Sequence, residues 1–140
     1  MTFTNPSADE RRELLENAKT IAVVGLSNKP DRTSYMVSAA MQSNGYKITP
    51  VNPTIEEALG EKAAASLTEI TEPVDIVNVF RRSEEVGPVV EEAIQLKPKA
   101  IWLQQGIYNE EAAHKAQEAG IMIIMDQCIK VDHALLVRRK

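Results

Sequence analysis

The stretch Thr20-Ile21-Ala22-Val23-Val24-Gly25, running on into Leu26-Ser27-Asn28-Lys29-Pro30-Asp31-Arg32-Thr33-Ser34, decides the fold. It begins as an apolar run of strand length, passes through a polar loop ending in hydroxyls, and enters a segment of helical apolar spacing. In α/β proteins that order builds an anion site. The strand delivers the loop to the carboxyl edge of a sheet, where unpaired N–H groups of the helix N-terminus face the anion. Gly25 marks a sharp turn or a close approach of backbone to ligand. The loop follows neither G-x-G-x-x-G nor G-x-x-x-x-G-K-S/T, so a nucleotide-type site of a less common pattern is expected.

Working outward, strand-like and helix-like segments alternate along the chain. Ser7 and Glu10 stand in capping-box spacing and open a short helix over 7–18. After the Thr20–Gly25 strand, a helix is expected from Ser34 to Ser43, with Met36, Val37, Ala40 and Met41 on one face and Asn44-Gly45 as its stop. Tyr46 to Val51 reads as the second strand, and Thr54 to Thr71 as a polar excursion with one weak edge strand and one helical turn. Val74–Phe80 is the next strand, and Ser83 caps a helix reaching Leu96. Ala100–Leu103 and Ile121–Met125 are further strands, separated by a helix over Asn109–Ala119. The tail from Val131 to Lys140 adds a short helix. This alternation predicts an α/β fold, a doubly wound and mainly parallel sheet of five or six strands with helices on both faces. Short right-handed crossovers place the first strand beside Val74–Phe80, with the crevice at their carboxyl ends.

The chain has 140 residues, 44% of them apolar, which predicts one domain with a substantial core. Its net charge of −4, with no basic block, disfavours bulk nucleic-acid binding. No apolar run approaches the ~20 residues of a membrane span. The polar start from Met1 to Asp9 lacks the pattern of a signal sequence, and Cys128 is the only cysteine. Both point to a cytoplasmic protein.

Within the loop, Ser27, Asn28 and Ser34 supply hydrogen-bond donors, Lys29 and Arg32 supply positive charge, and Pro30 holds the turn. A diphosphate needs both kinds of group. The alternative is a solvated loop in which Ser34 only caps its helix. NAD-binding folds usually place an acid after the second strand for the ribose hydroxyls. Here Val51-Asn52-Pro53-Thr54 stands there, with no acid before Glu56. A nucleotide carrying an extra phosphate would want basic residues instead, and Arg81 and Arg82 follow the Val74–Phe80 strand directly. One of them is expected to face the crevice while the other pairs with Glu84 or Glu85.

These residues together resemble the small stand-alone CoA-binding proteins, which are similar to the CoA-binding domain of the succinyl-CoA synthetase α subunit. The resemblance runs from Ala18 to His133. It rests on Val24-Gly25-Leu26-Ser27 with Pro30, Arg32 and Ser34; on Pro50-Val51-Asn52-Pro53; on Asp75-Ile76-Val77-Asn78-Val79-Phe80-Arg81; on Ile101-Trp102-Leu103-Gln104 with Gly106; and on Asp126-Gln127-Cys128-Ile129-Lys130. It implies a single Rossmann-like domain over the whole chain, with coenzyme A laid across the carboxyl edge. Gly25 to Ser34 would hold the phosphates, Asn52 and Pro53 would lie near the adenosine end, and Phe80 and Arg81 would line the crevice. Gln104 and Gly106 would sit nearer the pantetheine. Relatives often carry Arg where this chain has Gln127. The basic residue that the synthetase domain offers after its second strand has no match at Asn52–Glu56, so the extra phosphate of CoA is either solvent-exposed or held elsewhere.

The chain stops where the synthetase's phosphohistidine domain would begin, and its own chemistry is sparse. His114 reads as a surface residue and His133 as structural, and their spacing does not make a zinc site. Trp102 reads as core. Cys128 is either a packed, inert thiol or a partner for a mixed disulfide with the CoA thiol. The leading expectation is a non-catalytic module for CoA or an acyl-CoA, serving as carrier, sensor or regulator. A minimal NAD(P)-binding oxidoreductase and a nucleotide fold that has lost its ligand are the alternatives.

Overall fold

A computed structural model describes residues 3–137. In chain order the elements are α1 (Ala8–Asn17), β1 (Thr20–Val24), α2 (Thr33–Ser43), β2 (Lys47–Val51), β3 (Glu57–Ala58), β4 (Glu61–Lys62), β5 (Ile76–Val79), α3 (Val86–Gln95), β6 (Ala100–Leu103), α4 (Glu110–Glu118), β7 (Met122–Ile124) and α5 (Ile129–Leu136). Single 3-10 turns lie at Leu67–Glu69 and Ser83–Glu85. Five of the strands form one sheet in the order β2-β1-β5-β6-β7, and all its pairings are parallel. The fold is the expected Rossmann-like α/β sheet.

Strand alternation splits the core in two. Ile21 and Val23 of β1 pack with Leu14 and Leu15 of α1, Val37 and Met41 of α2, and Ile129 of α5. Ala22 and Val24 face the other way, towards Val90 and Ala93 of α3 and Ala112 and Ala116 of α4. The central strands β5 and β6 are buried at every residue, as strands covered by helices on both faces must be. Trp102 is wholly buried, as its apolar neighbours implied, and its Nε1 donates to the Gln127 carbonyl at 2.9 Å.

Beyond β1 the chain goes outward to β2 and then returns across β1 to β5. The winding therefore reverses between β1 and β5, paired from Ile21 with Ile76 to Val24 with Val79. The β2 edge accepts Pro50, whose missing N–H is tolerated only on an edge strand. The excursion after β2 folds back over that edge. Ala64 donates to the Pro50 carbonyl and accepts from Asn52 N–H, both at 2.9 Å. The excursion holds the β3–β4 hairpin and one 3-10 turn rather than a strand added to the main sheet.

Three local expectations change. Met36 is 49% exposed, because α2 turns Ser34, Val37, Ser38 and Met41 towards the sheet instead. Ser83 does not cap α3; a 3-10 turn intervenes, and its hydroxyl accepts the Tyr108 N–H at 3.0 Å. The last helix begins at Ile129, ahead of Val131, and ends at Leu136; the expected extension through Arg138–Lys140 lies outside the described residues.

At the amino edge, Asp75 Oδ2 accepts from the N–H groups of Lys19 and Thr20, fixing the entry to β1. The capping box of Ser7 and Glu10 forms as read and starts α1. That helix is tied to α5 by Arg11 Nε and Asp132 Oδ2 at 2.8 Å, a pair largely shielded from solvent. Tyr46 donates its hydroxyl to the Leu15 carbonyl and meets the His133 ring edge-on at 5.6 Å. Burial, reinforced by Glu16, pushes the Tyr46 phenol up to about 12. Among the described residues no helix is long and apolar enough to cross a membrane.

Candidate functional site

The site begins at Gly25. Its φ is +86°, and a Cβ there would lie 2.4 Å from the Phe80 carbonyl oxygen, so both conformation and space demand glycine. The Gly25 N–H donates to the Val51 carbonyl at 2.9 Å, and the Phe80 N–H donates to the Val24 carbonyl at 2.8 Å. The carboxyl ends of β1, β2 and β5 thus meet at this one residue.

The loop that follows is shaped by short uncharged side chains. Ser27 N–H donates to Ser34 Oγ at 3.0 Å, and Lys29 N–H donates to Ser27 Oγ at 3.1 Å. Asn52 Nδ2 donates to the Leu26 carbonyl at 3.1 Å, while Asn52 Oδ1 accepts from Thr54 N–H and Thr54 Oγ1. The alternative role of Ser34 as helix cap does not apply: Arg32 is the N-cap of α2, and no side chain caps it. The first-turn N–H groups of α2 have no partner within the helix and are free for an anion. No acidic residue lies in that first turn, although the exposed Asp31 precedes it.

The result is an open crevice of about 580 Å³ lined by Gly25, Ser27, Asn28, Lys29, Arg32, Ser34, Asn52 and Phe80. Thr33, Thr54 and Ile55 also line it, although nothing in their residue types singles them out in the sequence. Lys29 and Arg32 form no ion pair among the described residues. Pro30 is exposed on the same loop and does not line the crevice.

Pro53 and Arg81 fall on the other side of the edge. They line a smaller cavity of about 140 Å³ with Val24, Val51, Ser66 and Leu67. Arg81 is half-buried, and neither it nor Arg82 pairs with Glu84 or Glu85 as expected. Those two glutamates sit in the 3-10 turn Ser83–Glu85 that directly follows Arg82.

Gln104, Gly106 and Cys128 line neither cavity. Gln104 is 4% exposed, and its Oε1 accepts the Ile129 N–H at 3.0 Å, capping α5 from outside the helix. Gly106 N–H donates to Asp126 Oδ1 at 2.7 Å. Cys128 is a half-buried free thiol at the N-cap of α5, against the core that α1, α2 and α5 share. His133 is buried beside Tyr46 and His114 is half-buried. No group of three His, Cys, Asp or Glu side chains among the described residues is arranged to hold a metal.

The chain is similar to known proteins over most of its length. The family model described as a CoA binding domain matches residues 19–134. The protein YneT of Bacillus subtilis is 59% identical over 131 residues, covering 94% of this chain and 97% of its own. A solved protein of Thermus thermophilus superposes with a TM-score of 0.90 at 39% identity, covering 94% of this chain and 99% of the other. The α subunit of an ADP-forming acetate–CoA ligase II from Pyrococcus furiosus is 28% identical over 126 residues, covering 82% of this chain and 28% of that subunit.

Proposed function

Because this chain belongs to the CoA-binding domain family, we propose that it is a single binding domain for coenzyme A or an acyl-CoA, and that it works as a carrier, sensor or regulatory module rather than a catalyst. The observation that carries this reading is the crevice at the point where the winding reverses. There two cations without an ion-pair partner among the described residues, loop hydroxyls and the uncapped N-terminus of α2 converge on one volume. That set fits a diphosphate, which needs directed donors and compensating charge together. Lys29 and Arg32 would neutralise it, and the backbone N–H groups of the α2 first turn would orient it. The pantetheine would then run towards the loops after β6 and β7, where Cys128 lies.

Against NAD stands the end of β2. Asn52 carries no negative charge, and its amide is engaged on both sides, by Leu26 and by Thr54, leaving nothing to chelate a ribose diol.

The test is titration of the purified protein with CoA, acetyl-CoA, NAD and NADP, followed by native mass spectrometry and calorimetry. One-to-one binding selective for the CoA compounds is expected. Arg32→Ala and Ser34→Ala should each weaken it about tenfold or more, since a hydrogen bond to a charged group is worth ~1.5–3 kcal/mol. Wild-type affinity in both variants would remove the loop from the site. Binding of NADP with indifference to CoA would overturn the reading and favour the oxidoreductase.

A further inference from the structure

We propose that Arg81 is the residue that selects the 3′-phosphate of coenzyme A, with the small cavity it lines receiving the 3′-phosphoadenosine end. This rests on the CoA reading above.

The argument starts from three pairs of consecutive residues. Val24 and Gly25, Asn52 and Pro53, and Phe80 and Arg81 each place one member in the diphosphate crevice and the other in the small cavity. Successive residues at the ends of strands point to opposite faces of a sheet. The two volumes therefore lie back to back across the same three strand ends. A ligand held by its diphosphate in one can reach the other by crossing a single row of backbone.

The cavity has the chemistry of a phosphorylated nucleoside rather than of solvent. Val51, Leu67 and Val89 give it apolar walls, and about 140 Å³ has room for the flat purine ring, leaving the ribose and its phosphate at the cavity mouth. Arg81 lines it half-buried and without an ion-pair partner among the described residues, although the Glu92 carboxylate lines the same cavity. A partly desolvated guanidinium that makes no direct ion pair gains when an anion arrives. Its fork of donors matches phosphate oxygens two at a time. The Ser66 hydroxyl, already 2.6 Å from Thr68 Oγ1, adds a second group able to donate. No lysine or other arginine lines this cavity, so the task falls to Arg81 alone.

The experiment is calorimetric titration of the full chain with CoA and with dephospho-CoA, for the wild type, Arg81→Gln, Arg81→Lys and Arg82→Gln. Wild type should prefer CoA by about tenfold or more, the worth of one charge-assisted phosphate contact. Arg81→Gln should bring the two ligands to near-equal affinity by weakening CoA while leaving dephospho-CoA unchanged. Arg81→Lys should keep part of the preference, and Arg82→Gln all of it. A wild-type preference near one, or a preference that survives in Arg81→Gln, overturns the assignment while leaving CoA binding intact. Failure of the wild type to bind either compound overturns the CoA reading itself, and this inference with it. Thermal unfolding of each variant shows that the comparison is made between folded proteins.

Discussion

The carboxyl edge of the sheet is finished differently at its two ends. Around β6 and β7 the polar side chains are spent on the protein. Gln104 caps α5, Asp126 holds the Gly106 N–H, Trp102 reaches the Gln127 carbonyl, and Asn5 binds both backbone groups of Met125. Around β1, β2 and β5 the loop backbone is held by neutral groups, Ser27, Ser34 and Asn52, while Lys29, Arg32 and Arg81 pair with nothing among the described residues. One half is a closed rim; the other is a shaped loop with its charge in reserve. Residue type alone does not mark a ligand contact. Among charged groups, what marks it is one that the fold has left unpaired.

Three changes bear on this comparison. The largest effect is expected of Gly25→Ala, which forces a side chain into the left-handed region and against the Phe80 carbonyl at 2.4 Å. A loss of at least about 2–3 kcal/mol is expected, read by urea unfolding. A stability equal to wild type would mean that the three strand ends do not meet as described. Next comes Gln104→Leu, which orphans the buried Ile129 N–H and should cost ~1–3 kcal/mol of stability. CoA affinity should stay within about threefold of wild type, because an uncharged group outside both cavities contributes little to binding. A tenfold loss of affinity at unchanged stability would break the division between rim and loop.

The smallest effect is a control at the opposite edge. The folded state raises the Tyr46 phenol from its ordinary 10.0 to about 12, chiefly by burial, so it favours the neutral form. The contribution is therefore fully present below pH 10 and disappears as pH rises through about 12. Unfolding followed across that interval should show a loss in the wild type that Tyr46→Phe lacks. Identical pH profiles would remove Tyr46 from the packing of α1. CoA affinity at neutral pH should be the same in both, since the amino edge takes no part in the site.

Much of the fold was legible because buried parallel strands announce themselves. The apolar runs at Thr20–Gly25 and Val74–Phe80 mark both strands, short right-handed crossovers place them side by side, and Gly25, read as a sharp turn or a close approach to ligand, is a close approach to the Phe80 carbonyl. That much of the Gly25–Ser34 loop lines one crevice is legible for a simpler reason: its members are neighbours in sequence. What the sequence concealed depends on distant partners. Ser83 has the look of a helix cap, yet its hydroxyl serves Tyr108, 25 positions away. Gln104 has the look of a ligand contact, yet it completes a helix equally far along the chain. The division of Phe80 and Arg81 between two cavities follows from strand alternation only once the sheet order is known.

The clamp made by Asn5 has a consequence for how the sheet ends. Its side-chain amide donates to the Met125 carbonyl and accepts the Met125 N–H, both at 2.8 Å, offering the same two groups that a residue of another strand would offer. Beside β7, growth of the sheet is thus halted by a single borrowed peptide group rather than by a whole strand. Such a stop can be withdrawn without disturbing any ladder behind it. Release of Asn5 would leave both backbone groups of Met125 without this partner at an edge of the sheet, the kind of exposed border that native folds keep covered.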